Sequence, residues 1–170
     1  MRRELGIRTL FNVLGPLTNP AGAPNQVLGV FDRALVSKLA KVLATLNSRH
    51  VMVVHGAEGL DEISIGGPTY VAELKDGEIR EYEITPADFG FESASLEKIK
   101  VSNIDEAKCI LSEVLANVPG PARDIVCLNA AAGLIAAGIV DDIGAGYDAA
   151  QTSIDDGKAS AVLARVAAVS

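Results

Sequence analysis

Between residues 27 and 54 the chain runs apolar strand, amphipathic helix, apolar strand, and that order leaves few folds open. Val27-Leu28-Gly29-Val30-Phe31 is a continuous apolar run suited to burial on both faces, and it stops at Asp32, a side chain able to cap a helix. Leu35, Val36, Leu39, Val42, Leu43 and Leu46 then recur at helical spacing along one face, with Asn47 placed to close the helix. Val51-Met52-Val53-Val54 repeats the apolar run and ends at His55-Gly56. A helix between two strands of one sheet makes a right-handed crossover, so the strands lie parallel. The segment therefore predicts a parallel pair inside an α/β sheet.

The rest of the chain extends that pair. Thr69 to Leu74 and Glu78 to Ile84 flank Lys75-Asp76-Gly77, and Asp-Gly between two such runs predicts a hairpin. Asn103 caps a helix with Glu106 reaching back to it, and Ile104, Ala107, Leu111, Val114 and Leu115 are its expected apolar face. Pro119-Gly120-Pro121 breaks the chain before an apolar helix that takes in Ile125 to Val140. Two further helices, divided near Asp155-Asp156-Gly157, are expected to end close to Ser170. Asp141-Asp142 and Asp155-Asp156 are expected at helix starts, where acidic groups complement the macrodipole. The first 26 residues hold no periodic element, because Gly15-Pro16, Asn19-Pro20 and Ala21-Gly22-Ala23-Pro24 interrupt it. The expectation is a single α/β domain over residues 1–170, with a partly parallel sheet, flanking helices and a helical C-terminal third.

Composition narrows the function. With 49% hydrophobic residues and 22% charged, the chain is of the folded globular kind, and one of this length buries roughly two-thirds of its unfolded surface. Fifteen Lys and Arg against 22 Asp and Glu leave a net charge of −7, which speaks against a general nucleic-acid binder. Cys109 and Cys127 show neither metal-ligand spacing nor a disulfide framework, and His50 and His55 do not cluster with them. The apolar stretch from Ile125 to Val140 contains Asn129 and falls short of the about 20 residues that span a membrane. No apolar segment follows Arg2-Arg3 as a signal peptide requires, so a soluble, cytoplasmic chain is expected.

Two constellations carry chemistry. In the first, Arg2, Arg3 and Arg8 precede a rigid loop, Phe11-Asn12-Val13-Leu14-Gly15-Pro16-Leu17-Thr18-Asn19-Pro20. Guanidinium forks pair bidentately with carboxylates and phosphates, so the segment suits a small anion; a solvated basic end beside a structural turn is the alternative. In the second, His55-Gly56-Ala57-Glu58-Gly59-Leu60-Asp61-Glu62 follows a strand, and ligands of open α/β sheets gather beyond the carboxyl ends of strands. Asp61 and Glu62 suit Mg²⁺, which takes oxygen ligands and often only one or two protein carboxylates. The alternative is a solvated acidic loop. His55 reads as a packed strand-end residue and Cys127 as an inert core thiol.

Both constellations resemble one family. Arg2 with Leu5-Gly6, Arg8-Thr9, Phe11-Asn12, Leu14-Gly15-Pro16-Leu17 and Asn19-Pro20, followed by His55-Gly56 and Gly59-Leu60-Asp61-Glu62, closely resembles anthranilate phosphoribosyltransferase. Leu128-Asn129-Ala130-Ala131 and Gly157-Lys158-Ala159 are similar to it as well. The resemblance implies the catalytic fold of the nucleoside phosphorylase/phosphoribosyltransferase superfamily without its N-terminal helical domain. The Gly-Thr-Gly-Gly-Asp and Lys-His-Gly-Asn segments with which that family holds the diphosphate sugar do not occur in this sequence. It thus implies the C-terminal part of a longer transferase, inactive by itself. The implied reaction moves a phosphoribosyl group from 5-phosphoribosyl 1-diphosphate to anthranilate, a step of tryptophan biosynthesis. Arg2 is expected to pair with the anthranilate carboxylate, Gly15 and Pro16 to line the channel for its ring, and Asp61 and Glu62 to hold Mg²⁺. Arg8 and Asn12 brace the loop, and no residue acts as a strong base. The parent is expected to be a homodimer, with an amidotransferase subunit as a further partner. A pyrimidine nucleoside phosphorylase shares the fold but should lack the loop from Phe11 to Pro20. A non-catalytic nucleic-acid-binding relative is disfavoured by the net charge of −7 and by the Asp61-Glu62 pair.

Overall fold

Strand β2 must be covered on both faces, because all seven of its residues are buried. The computed structural model describes Gly15, Leu17, residues 22–90 and residues 92–169. Strand β1 (Asn25–Gly29) pairs parallel with β2 (His50–Gly56), in the register Leu28 opposite Val53. Strands β3 (Thr69–Lys75) and β4 (Glu78–Ile84) continue the sheet antiparallel, in the order β1-β2-β3-β4. The hairpin joining them turns at Asp76 (φ 49°) and Gly77 (φ 88°), the paired positive φ that the Asp-Gly signal anticipates.

Alternate side chains of β2 serve opposite layers, as the two-residue strand period requires. On one face Val51 and Val53 join Leu28, Ala72 and Leu74 beneath helix α1 (Val36–Thr45), which contributes Val36, Leu39, Ala40 and Leu43. On the other, Met52 and Val54 join Ile63, Ile65 and Val71 beneath the C-terminal helices. These are α2 (Ile104–Leu115), α3 (Pro121–Ala136), α4 (Ile143–Asp155) and α5 (Lys158–Ala167). Helix α3 lies against β1 and β2, α4 packs on α3, and α5 packs on α4. The outer strand β4 is polar and largely open to solvent. Among the described residues no helix is long and apolar enough to cross a membrane.

Local signals are realised closely. Asp32 accepts from the Ala34 N–H at 2.9 Å, capping a 3₁₀ turn (Arg33–Leu35) that leads into α1. Asn47 closes the helix at φ 60°. The Glu106 N–H donates to Asn103 Oδ1 at 2.9 Å, while Asn103 Nδ2 donates to Glu106 Oε1 at 2.8 Å. Asp142 caps α4 by accepting from the Ala145 N–H at 2.9 Å.

Other expectations shift. Gly15 and Leu17 are helical, so the first 26 residues are not without periodic structure, and β1 begins at Asn25 rather than Val27. Helix α3 starts at Pro121 and stops at Ala136; Gly138 then turns at φ 70° and leaves Ile139 66% exposed. The expected face of α2 is mostly uncovered: Val114 is buried, but Ile104 is 80% and Leu111 47% exposed. Helical spacing identifies a stripe, not whether another element lies over it. Asp155 and Asp156 end α4 instead of starting a helix, and they are compensated by polar partners. Asp155 Oδ1 accepts from Asn117 Nδ2 at 2.5 Å, and Asp156 Oδ2 pairs with Lys158 Nζ at 2.6 Å.

Leu128 of α3 is fully buried in the layer beneath β2. Replacing it with Ala should cost about 2–5 kcal/mol of folding stability, read as a lowered urea midpoint at unchanged slope.

Candidate functional site

Strands β1 and β2 run parallel, so their carboxyl ends lie on the same side of the sheet. From Gly56 the chain leaves β2 there and does not rejoin the sheet until Thr69. This excursion is tied down by its own backbone. The Gly56 N–H donates to the Leu60 carbonyl at 2.8 Å, the Gly59 N–H to Gly56 at 2.9 Å, and the Ala57 N–H to Pro68 at 2.9 Å. Ser64 Oγ donates to Glu58 Oε1 at 3.0 Å and accepts from the Gly66 N–H at 2.9 Å, while the Ser64 N–H donates to Thr69 Oγ1 at 2.9 Å. Ile63 and Ile65 are sunk into the core, which leaves Asp61 and Glu62 exposed just ahead of them.

Two neighbours hold the acidic pair from either side. A Cβ at Gly29 of β1 would stand 1.6 Å from the Asp61 carbonyl oxygen, so this backbone approach is open to glycine alone. From α3, Asn129 Oδ1 accepts from the Ile63 N–H at 2.9 Å and Nδ2 donates to the Ile63 carbonyl at 2.9 Å. Between them opens a cleft of about 450 Å³, bounded by Val27, Gly29 and Val54 of the sheet, Ile125, Val126 and Asn129 of α3, and Asp61 and Glu62.

The charge of this cleft is one-sided. Among the described residues, Asp61 and Glu62 are its only ionisable lining groups, and neither carboxylate has a hydrogen-bond or ion-pair partner there. Among the described residues no three His, Cys, Asp or Glu side chains converge as a metal set. The pair therefore fits a hard cation that takes one or two protein oxygens and keeps water or substrate oxygens for the rest, as Mg²⁺ does. A second cleft, of about 480 Å³, lies at the hairpin end and is lined by Glu73, Lys75, Asp76, Glu78, Arg80 and Asp141. Its charges are of both signs and partly matched. Arg80 lies 3.6 Å from Glu78, and Glu73 accepts from Tyr82 Oη at 3.0 Å and pairs with His50 Nε2 at 2.7 Å. Desolvation, reinforced by Glu73, pushes the Tyr82 phenol above its ordinary pKa, so that oxygen stays a donor. The uncompensated cleft is the better ligand site.

The remaining sequence candidates fall as follows. Gly15 is exposed and does not line the cleft with Asp61 and Glu62. Leu17 lines a hollow of about 120 Å³ with Pro24, Leu43 and Asn47, at the opposite end of β1. Arg2 and Pro16, with Arg8 and Asn12, lie outside the described residues. His55 is buried and donates from Nδ1 to the Val30 carbonyl at 2.7 Å, the packed strand-end role expected of it. Cys127 is fully buried, and burial pushes its thiol above the ordinary range, which suits a core residue and not a nucleophile. Reading the sequence alone missed Gly29 and Asn129 as parts of the site. Their signals were a glycine inside an apolar strand and an amide inside an apolar helix.

Comparison with known proteins agrees over nearly the whole chain. The family model described as "Glycosyl transferase family, a/b domain" matches residues 1–160. The chain is 55% identical over 159 residues to an anthranilate phosphoribosyltransferase of Nitrosomonas eutropha, covering 94% of this chain and 47% of that protein. The crystal structure of anthranilate phosphoribosyltransferase from Thermus thermophilus superposes with a TM-score of 0.85 at 39% identity, covering 96% of this chain and 48% of the other. The Saccharomyces cerevisiae enzyme in complex with PRPP and Mg gives a TM-score of 0.79 at 31% identity, covering 92% and 45%. The chain thus spans about half the length of the curated relatives it matches.

The contact at Gly29 is testable directly. Gly29→Ala must displace the Asp61 backbone, and overpacking of this kind costs about 1–3 kcal/mol. The expected outcome is a lowered urea midpoint together with amide chemical-shift changes at Asp61, Glu62 and Ile63. Unshifted loop amides would show that the approach is looser than described.

Proposed function

This chain belongs to the glycosyl transferase family, and on that premise we propose that it serves the transfer of a phosphoribosyl group from 5-phosphoribosyl 1-diphosphate to anthranilate. The observation that carries the reading is the Asp61-Glu62 pair, exposed and unpartnered among the described residues, at a cleft beyond the carboxyl ends of two parallel strands. In the reaction the anthranilate nitrogen bonds to the anomeric carbon, the bond to diphosphate breaks, and the nitrogen gives up a proton to water. Diphosphate is strongly anionic, and bare carboxylates would repel it. Asp61 and Glu62 are thus placed to receive it only together with a cation. Magnesium bound by these carboxylates supplies neutralisation of the leaving diphosphate. The yeast enzyme in complex with PRPP and Mg supports magnesium as the cation.

Recognition of the acceptor falls to the first constellation. Arg2 pairs with the anthranilate carboxylate as a bidentate fork, and Gly15 and Pro16 line the passage for its ring. A second structure of the yeast enzyme, in complex with 4-fluoroanthranilate, supports an acceptor of this shape. The amine of anthranilate is already a neutral nucleophile, so no strong base is assigned.

The test is a chimera in which residues 1–160 replace the matching segment of the Nitrosomonas eutropha relative. It should consume anthranilate, followed by its fluorescence, in the presence of 5-phosphoribosyl 1-diphosphate and Mg²⁺. A folded chimera that leaves anthranilate untouched would sink the proposal. Asp61→Ala with Glu62→Ala in that chimera should abolish Mg²⁺-dependent turnover while the thermal midpoint stays in place, because exposed carboxylates contribute little to folding. Arg2→Ala should raise the KM for anthranilate about a hundredfold or more, the cost of stranding a buried charge partner, with the KM for the diphosphate substrate little changed. Equal losses on both substrates would move Arg2 to a structural or phosphate-binding role.

A further inference from the structure

We propose that Asn129 is a positioning residue that sets the Asp61-Glu62 loop for its cation, so that the metal site is built from helix α3 as well as from the loop. The inference rests on the metal reading of Asp61 and Glu62 given above. Its basis is a two-point contact: one primary amide satisfies both backbone groups of Ile63, each at 2.9 Å. That fixes the peptide direction at Ile63 as one rung of a β-ladder does. Nδ2 also donates to the Ile125 carbonyl at 3.0 Å, which anchors the amide to the backbone of its own helix and holds its orientation. Among the described residues no other side chain bonds the backbone of Asp61, Glu62 or Ile63.

Asn129 is half-buried at the edge of the core, between buried Leu128 and Ala132 and exposed Val126 and Gly133, and Asn is a poorer helix former than Leu or Ala. An amide here is accounted for by what it bonds. Ile63 is itself 1% exposed, so the residue next to Glu62 is immobilised by its side chain and its backbone together. Gly29 fixes the other end of the pair through the Asp61 carbonyl. Residues 61–63 are thereby clamped by backbone contacts while the two carboxylates have no partner among the described residues. A weak two-carboxylate site depends on such clamping, because a loop ordered in advance does not lose its freedom on binding the ion.

The experiment uses Mn²⁺ alone as probe, with free Mn²⁺ read by electron paramagnetic resonance, and amide hydrogen exchange at Ile63 read by NMR. Asn129→Leu keeps the size and improves helix propensity, so lost helix stability cannot mimic the effect; Asn129→Ala is the second variant, should the first perturb folding. Both are expected to weaken Mn²⁺ binding about tenfold, the lower end of what losing the support of a metal ligand costs, and to speed exchange of the Ile63 amide. Asp61→Asn with Glu62→Gln should abolish Mn²⁺ binding and leave the Ile63 amide protected. If that double variant loses the ion while the Asn129 variants keep full affinity, the role of Asn129 is overturned, whatever the amide does. If the unsubstituted chain binds no Mn²⁺, or the double variant binds it as well, the metal reading itself is overturned.

Discussion

Burial of β2 on both faces is the constraint from which the rest of the architecture follows. Val51, Met52, Val53 and Val54 are each 1% exposed or less, and full burial of side chains of this size is worth about 1.5–3 kcal/mol apiece. One face is covered by the crossover helix α1, which the chain supplies on its way from β1 to β2. The other waits for α3, far along the chain, with α4 behind it. The two layers are separate clusters of buried residues with the sheet between them. Among the described residues, the acidic pair lies beyond the carboxyl ends of the strands between those layers.

The two ends of the sheet have opposite electrostatic characters. At the hairpin end, Glu73 is hydrogen-bonded by both His50 and Tyr82, so these polar groups are matched at that end. At the carboxyl ends of β1 and β2 the bonds are spent on the backbone instead. The Gly56 to Thr69 excursion bonds several of its peptide groups to one another and those of Ile63 to Asn129, and it leaves two acidic side chains without partners among the described residues. Matched charge suits a scaffold; unmatched charge on a rigid loop suits a ligand that brings the opposite sign.

What the sequence disclosed, it disclosed through local chemistry. Asp32, Asn47, Asn103 with Glu106, Asp76-Gly77 and Asp142 act on atoms a few residues away, and each was legible for that reason. The strand–helix–strand unit was legible because its apolar periods are local too. Asp61 and Glu62 could be singled out by their position after a strand. The burial of α2 could not be read, since the stripe of Ile104 and Leu111 depends on whether a distant element covers it. Asp155 was misplaced for a similar reason: its partner Asn117 comes from another loop. Gly29 and Asn129 acquire meaning only through Asp61 and Ile63, which the fold brings to them.

The outer strand β4 has a consequence of a different kind. Glu78, Arg80, Glu81 and Glu83 present three anions and one cation along an open edge, and Glu81 is held in place by Ser37 Oγ at 2.6 Å. A second copy arriving antiparallel about Glu81, or parallel in register, would bring glutamate up to glutamate while trying to form its ladder, and this repulsion opposes strand addition in those registers. Symmetric sheet extension at this edge is thus opposed most at low ionic strength, and it loses that opposition as added salt shortens the reach of the charges.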